Sequence, residues 1–130
     1  LYSFRQGFKQ RIMGETLKKY CLALDLKNDP QKIDAYIKHH KQVWPEINQS
    51  IKASGIQSAE IFHTGNRLFM ILEVDESFSF ERKATLDANN PKVQEWEALM
   101  WDFQQALPNT PPDTKWVLMD KIYDLNSFSK

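Results

Sequence analysis

The middle of the chain leaves the fewest choices. Gln57–His63 and Arg67–Val74 both read as strands, and Thr64-Gly65-Asn66 between them can only be a hairpin turn. A lone hairpin is marginal in water, so further strands must extend it and other elements must cover it. The preceding segment supplies one of each. Tyr20, Leu22, Leu24 and Leu26 alternate with Cys21, Ala23 and Asp25, the period-two pattern of a strand. Asn28-Asp29-Pro30 ends that strand and opens a helix, with Asp29 as N-cap and Pro30 in the first turn. The helical stripe Ile33, Ile37, Trp44, Ile47, Ile51 runs on to Ser54, and Gly55 stops it. Pro45 lies inside this stretch and should kink or divide it, because proline removes a donor and clashes with the preceding turn.

After the hairpin a second helical region begins near Ser77 or Ser79 and breaks at Asn89-Asn90-Pro91. It resumes to about Leu107, with Val93, Trp96, Met100, Phe103 and Leu107 on one face. Pro108, Pro111 and Pro112 then keep the chain extended, and a last strand is expected over Lys115–Leu125. The order β-α-β-β-α-β is the α+β, ferredoxin-like arrangement, an antiparallel sheet with both helical regions on one face. The third strand is apolar on both faces: Leu68, Met70, Leu72 and Val74 on one, Phe69 and Ile71 on the other. One face takes the helices. The other needs a cover, and a second copy of the sheet is the simplest, giving a homodimer of the dimeric α+β barrel kind.

Charge narrows the possible partners. Lys plus Arg and Asp plus Glu are 17 each, so there is no long-range field for nucleic acid or an anionic membrane. No apolar run approaches the roughly 18 residues of a membrane span. Cys21 is the single cysteine and cannot form an internal disulfide, so a reducing, cytoplasmic setting is expected. Residues 1–18 read as an N-terminal extension and 19–130 as the single domain. Arg5, Lys9, Arg11, Lys18 and Lys19 face Glu15 alone, among Tyr2, Phe4, Phe8, Ile12, Met13 and Leu17. This stretch is either an amphipathic arm or an upstream segment with the true start at Met13.

Two residues break the apolar stripes. His40 lies three residues after Ile37 and four before Trp44, with Tyr36 one turn back on the same helical face. It is either a satisfied core histidine or, with Tyr36, part of a pocket lining; imidazole is the side chain suited to proton transfer at neutral pH. Glu97 stands beside Trp96 at the edge of the later stripe. A carboxylate next to an indole suits a sugar, since the ring packs on C–H groups while the carboxylate accepts hydroxyls; the alternative is an edge residue reaching for solvent. His39 falls off the stripe and should be solvated, and His63 ends a strand. Asp25, Glu73 and Asp120 are potential inward polar groups that would need partners if buried. Three scattered histidines do not make a zinc site. With only 4 glycines and none clustered, there is no phosphate-cradling loop and nothing to suggest a nucleotide cofactor. What remains is acid/base chemistry on a small neutral ligand with no cofactor and no metal.

Tyr36-Ile37-Lys38-His39-His40-Lys41-Gln42-Val43-Trp44-Pro45-Glu46 resembles the L-rhamnose mutarotase family, whose pattern is Tyr, three residues, His, three residues, Trp-Pro-Glu. The likeness continues through Asn66–Met70, Phe78–Ala84, Asn90–Glu97 and Trp116–Met119, and these later segments are most similar to the L-fucose mutarotase branch. It covers about residues 19–125. The resemblance implies a dimeric ferredoxin-like fold, interconversion of sugar anomers and no cofactor. It implies catalytic roles for His40, as proton donor, and Tyr36, which also contacts the sugar; Trp44 and Trp96 are placed against the sugar with it, and Glu97 joins them by its carboxylate chemistry. The rhamnose enzymes carry two consecutive tryptophans where this chain has Trp96 and Glu97, and a sugar-contacting tyrosine where it has Ala59. Both departures favour L-fucose over L-rhamnose. Ring opening needs a proton removed from the anomeric hydroxyl and one delivered to the ring oxygen. His40 is assigned as the acid, Tyr36 holds or relays, and Glu97 binds hydroxyls or serves as the base. The rival readings are an L-rhamnose mutarotase, a cofactorless monooxygenase-like enzyme of the same fold, and a sugar-binding module.

Overall fold

A computed structural model describes residues 17–128. The arm expected over residues 1–18 and the alternative start at Met13 lie almost wholly outside that range. The first strand, β1, spans Lys18–Leu26 and so starts one residue before the expected domain boundary. It is followed by α1 (Pro30–His39), α2 (Pro45–Ala53), β2 (Ile56–Thr64), β3 (Arg67–Val74), α3 (Phe80–Ala88), α4 (Pro91–Trp101), β4 (Gln104–Gln105) and β5 (Val117–Leu118).

Local chemistry sets each helix start. The Asp29 carboxylate accepts from the Gln31 amide at 2.9 Å and Pro30 occupies the first turn. The Ser79 hydroxyl accepts from the Arg82 amide at 3.0 Å, and the Asn90 side chain accepts from the Lys92 and Val93 amides. Pro45 divides the first helical stretch outright. The residue before it, Trp44, is pushed to ψ 137°, out of the helical region, as a pre-proline residue must be. Gly55 ends α2 at φ 101°; a Cβ there would meet the Ser77 hydroxyl oxygen at 2.6 Å.

The sheet order is β2-β3-β1-β4, with β5 also on β1. All pairings are antiparallel, so the ferredoxin-like expectation holds. Leu22, Leu24 and Leu26 of β1 and Leu68, Leu72 and Val74 of β3 are buried. Around Leu26 and Leu68 they pack with Tyr36, Ile47, Val93, Trp96 and Met100. A second cluster of Leu22, Ile56, Leu72 and Val74 lies further along the sheet, and Ile51 and Trp116 touch both.

Two expectations overran. The last helix stops at Trp101 rather than Leu107. Sheet bonding overrides helical periodicity there: the Phe103 carbonyl accepts from the Lys27 amide at 2.8 Å, and Gln104 and Gln105 pair with Leu26 and Asp25. The last strand contributes only Val117 and Leu118 to the ladder, with the Met119 amide bonded to the Cys21 carbonyl at 2.8 Å. β4 already holds the far end of β1, at Asp25 and Leu26.

Candidate functional site

The end of α1 builds the centre of the site. Because Pro45 forces the helix to stop, the last carbonyls of α1 lose their intrahelical partners. The Tyr36 carbonyl takes two donors from His40: the backbone amide at 3.3 Å and ring Nδ1 at 2.9 Å. A carbonyl can only accept, so Nδ1 carries hydrogen and the neutral ring keeps its lone pair at Nε2. Burial holds the imidazole below its ordinary value of 6.5; the bond to the Tyr36 carbonyl opposes this and neighbouring His39 adds to it. Half-buried His40 therefore rests as a neutral proton acceptor with a fixed tautomer.

Aromatic rings surround it. The His40 and Tyr36 rings lie 4.3 Å apart, centre to centre, and His40 meets Trp96 edge-on at 5.7 Å. Trp44 meets the same indole edge-on at 5.0 Å. Tyr36 and Trp96 are buried and form the floor, while His40 and Trp44 are half-buried. Burial pushes the Tyr36 phenol up to about 12, partly offset by a bond from Gln104, so it stays protonated. The fold thus gathers His40, Tyr36, Trp44 and Trp96 from α1, the loop after it and α4.

Glu97 is half-buried on α4, one turn from buried Val93 and Met100, and among the described residues it makes no hydrogen bond or ion pair. Its carboxylate is free to accept. Beside the cluster a recess of about 400 Å³ is lined by Ala35, Lys38, His39, Gln42 and Trp44. Of the sequence-derived site residues only Trp44 lines it.

Several placements differ from expectation. His39 is not simply solvated: its ring lies 5.5 Å from Phe103 and 6.4 Å from Trp96, because α1 ends against the loop that leads into β4. Asp25 is buried and answered by Arg67, whose Nε donates at 2.7 Å and whose second nitrogen donates at 3.1 Å. Asp120 is exposed rather than inward, since it lies past the end of β5. His63 is exposed near the hairpin end, and exposed Ala59 pairs with Leu72 on the edge strand. The residue that sequence reasoning missed is Gln104. It is buried, and its amide Nε2 donates to the Tyr36 hydroxyl at 3.4 Å. Its only sequence signal was a polar residue between Phe103 and Leu107 inside a misassigned helix.

The profile of the L-rhamnose mutarotase family matches residues 19–125. The L-fucose mutarotase of Xanthomonas campestris pv. campestris is 41% identical over 113 residues, covering 85% of this chain and 90% of that protein. The crystal structure of an L-rhamnose mutarotase from Formosa agariphila superposes with a TM-score of 0.61 at 25% identity, over 83% of this chain and 98% of that one. A dimeric ferredoxin-like protein from an uncultured marine organism shares the fold, with a TM-score of 0.50 at 16% identity over 85% of this chain and 95% of its own.

Proposed function

The chain belongs to the L-rhamnose mutarotase family of sugar isomerases, and from that premise we propose that it interconverts the α and β anomers of a 6-deoxyhexose, L-fucose. The observation that carries the mechanism is His40, held by the Tyr36 carbonyl with Nε2 left open beside Trp96. In this reading Nε2 takes the proton from the anomeric hydroxyl. The C1–O bond to the ring oxygen breaks, the anomeric oxygen becomes the aldehyde carbonyl, and the imidazolium delivers the same proton to the ring oxygen as the acid. Rotation about C1–C2 and reclosure give the other anomer, with His40 restored. No net electron or proton change remains, so the cycle calls for no cofactor. Tyr36, still protonated, holds a sugar oxygen; Trp44 and Trp96 pack on C–H groups; Glu97 accepts hydroxyls. General acid–base help of this kind is worth about 10²–10⁴-fold.

The preference for L-fucose rests on Glu97 and Ala59, where the rhamnose enzymes carry a tryptophan and a tyrosine. The working unit in this proposal is a homodimer formed through the open sheet face, where Phe69 and Ile71 are only half-buried and Phe62 is 54% exposed. The compartment is the cytoplasm, consistent with a single thiol and with no described helix long and apolar enough to cross a membrane.

The test is anomer exchange followed by saturation-transfer NMR on free sugars. L-Fucose exchange should accelerate in proportion to enzyme, with L-rhamnose slower. Acceleration for no sugar, despite saturable binding, would replace the enzyme by a sugar-binding module.

A further inference from the structure

Three polar side chains are buried among the described residues, and two have plain structural answers. Asp25 is met by Arg67, and the Ser54 hydroxyl donates to the Ile51 carbonyl at 2.6 Å. Gln104 has neither a charged partner nor a backbone carbonyl. Its side chain makes one bond among the described residues, to the hydroxyl of Tyr36, which the proposed function places at the sugar.

Stability does not account for it. At 3.4 Å the bond is longer than an ordinary N–H···O bond of about 2.7–3.2 Å. Replacing both members of such a pair by apolar groups of the same shape is often neutral or stabilising. Yet the chain invests backbone in fixing Gln104. The two-residue strand β4 exists only through its pairing with Leu26 and Asp25, reinforced by the Lys27-to-Phe103 bond, and this sets the amide under the phenol.

The direction of the bond carries the consequence. Nε2 can only donate, so the Tyr36 oxygen accepts and the phenol's own hydrogen is not spent on Gln104. We infer that Gln104 is a positioning residue, which occupies a lone pair of the Tyr36 hydroxyl from the core side and so turns its hydrogen toward the sugar. The inference rests on the proposed mutarotase reading. It deepens that reading by making the donor character of Tyr36 depend on a residue outside the aromatic site.

The test is a double-mutant cycle of Gln104→Met and Tyr36→Phe, read by anomer exchange and by melting temperature on the same samples. Gln104→Met leaves a buried phenol unpaired, so both the melting temperature and kcat should fall, kcat by about tenfold with KM little changed. Tyr36→Phe should be at least as slow. The double variant should regain the melting temperature while staying as slow as Tyr36→Phe alone. A purely structural Gln104 would slow Gln104→Met only in proportion to its lost folded fraction, with the rate per folded molecule unchanged, and that result overturns the inference. So does a folded Gln104→Met protein with undiminished kcat, or a Gln104→Met loss that persists in the Tyr36→Phe background. If Gln104→Met does not fold, Tyr36→Phe alone decides by ¹⁵N NMR. The Gln104 side-chain amide protons should shift and exchange faster with water; unmoved resonances mean the bond does not exist. A wild-type chain without anomer exchange would instead remove the mutarotase reading itself.

Discussion

Two apolar surfaces of this chain have opposite fates. On the helix side of the sheet, Leu24, Leu26, Leu68 and Val74 are all but sealed, and Tyr36 and Trp96 of the ring cluster pack with Leu26 and Leu68. On the other side and along the C-terminal segment, side chains of the same type are open. Phe62 is 54% exposed, Ile122 94%, and Tyr123 and Leu125 are exposed as well. The sequence pattern is equally apolar in both places. Among the described residues the helices cover one face of the sheet, and in the proposed homodimer a second sheet covers the other. The proposed site lies on the helix-covered side.

Four measurements would break or sharpen that contrast. The largest effect should come from the sealed side, at His40. His40→Asn should fold normally and lose anomer exchange by about 10²-fold or more. A core histidine without a catalytic role would lose activity only with its folded fraction. The same residue sets the pH response. Its folded-state value lies below 6.5, so the unfolded chain binds the proton more readily. The stability linked to neutral His40 is whole above 6.5 and is lost as pH falls through the window down to the folded-state value. The exchange rate should hold through neutrality and decline on the acid side, with a midpoint below 6.5. A rate that climbs on acidification would make the imidazolium the resting catalyst and reverse the order of proton transfers.

Leu24→Ala comes next. The residue is fully buried, and truncation should cost about 2–5 kcal/mol in denaturant unfolding. A cost under 1 kcal/mol, on the order of an exposed site, would mean that the helix-side core repacks freely.

The open face is tested by assembly. Light scattering at micromolar concentration should give twice the 15.3 kDa chain mass. Phe62→Lys should shift the population toward the single-chain mass, because a charge would be buried without a partner. A wild-type monomer would leave the exposed face unexplained by a second copy. The smallest effect is expected at Ile122→Ser. Under dilute conditions that favour single chains it should change stability by less than about 0.5 kcal/mol, the scale of a surface substitution. A loss comparable to Leu24→Ala would show that the C-terminal segment packs on its own chain.

How much was legible varies by element. The hairpin, the N-cap at Asp29, the break at Asn89-Asn90-Pro91 and the division at Pro45 are decided within a few residues by backbone donors and dihedral limits, so they could be read directly. The spacing that brings His40 and Tyr36 together, with Trp44 close by, was also legible. An imidazole that interrupts an apolar stripe one turn from a phenol is a local anomaly, and the Trp-Pro step that ends the helix lies beside it. These features the amino-acid sequence determined by itself.

Other features were decided only in three dimensions. Phe103 and Leu107 fit a helical period, but the chain at Gln104 gains more from bonding to β1 than from another helical turn. The strand expected over Lys115–Leu125 shrank to Val117 and Leu118; β4 holds β1 at Asp25 and Leu26 and so bars its extension toward Lys115. His39 reads as a surface residue until Phe103 and Trp96 arrive from elsewhere in the chain. Above all, the contact of Gln104 with Tyr36 joins residues 68 positions apart. Periodicity reports which face of an element is apolar. It carries no information about which distant donor will lie beneath a given hydroxyl, because that depends on how the helices are set down on the sheet.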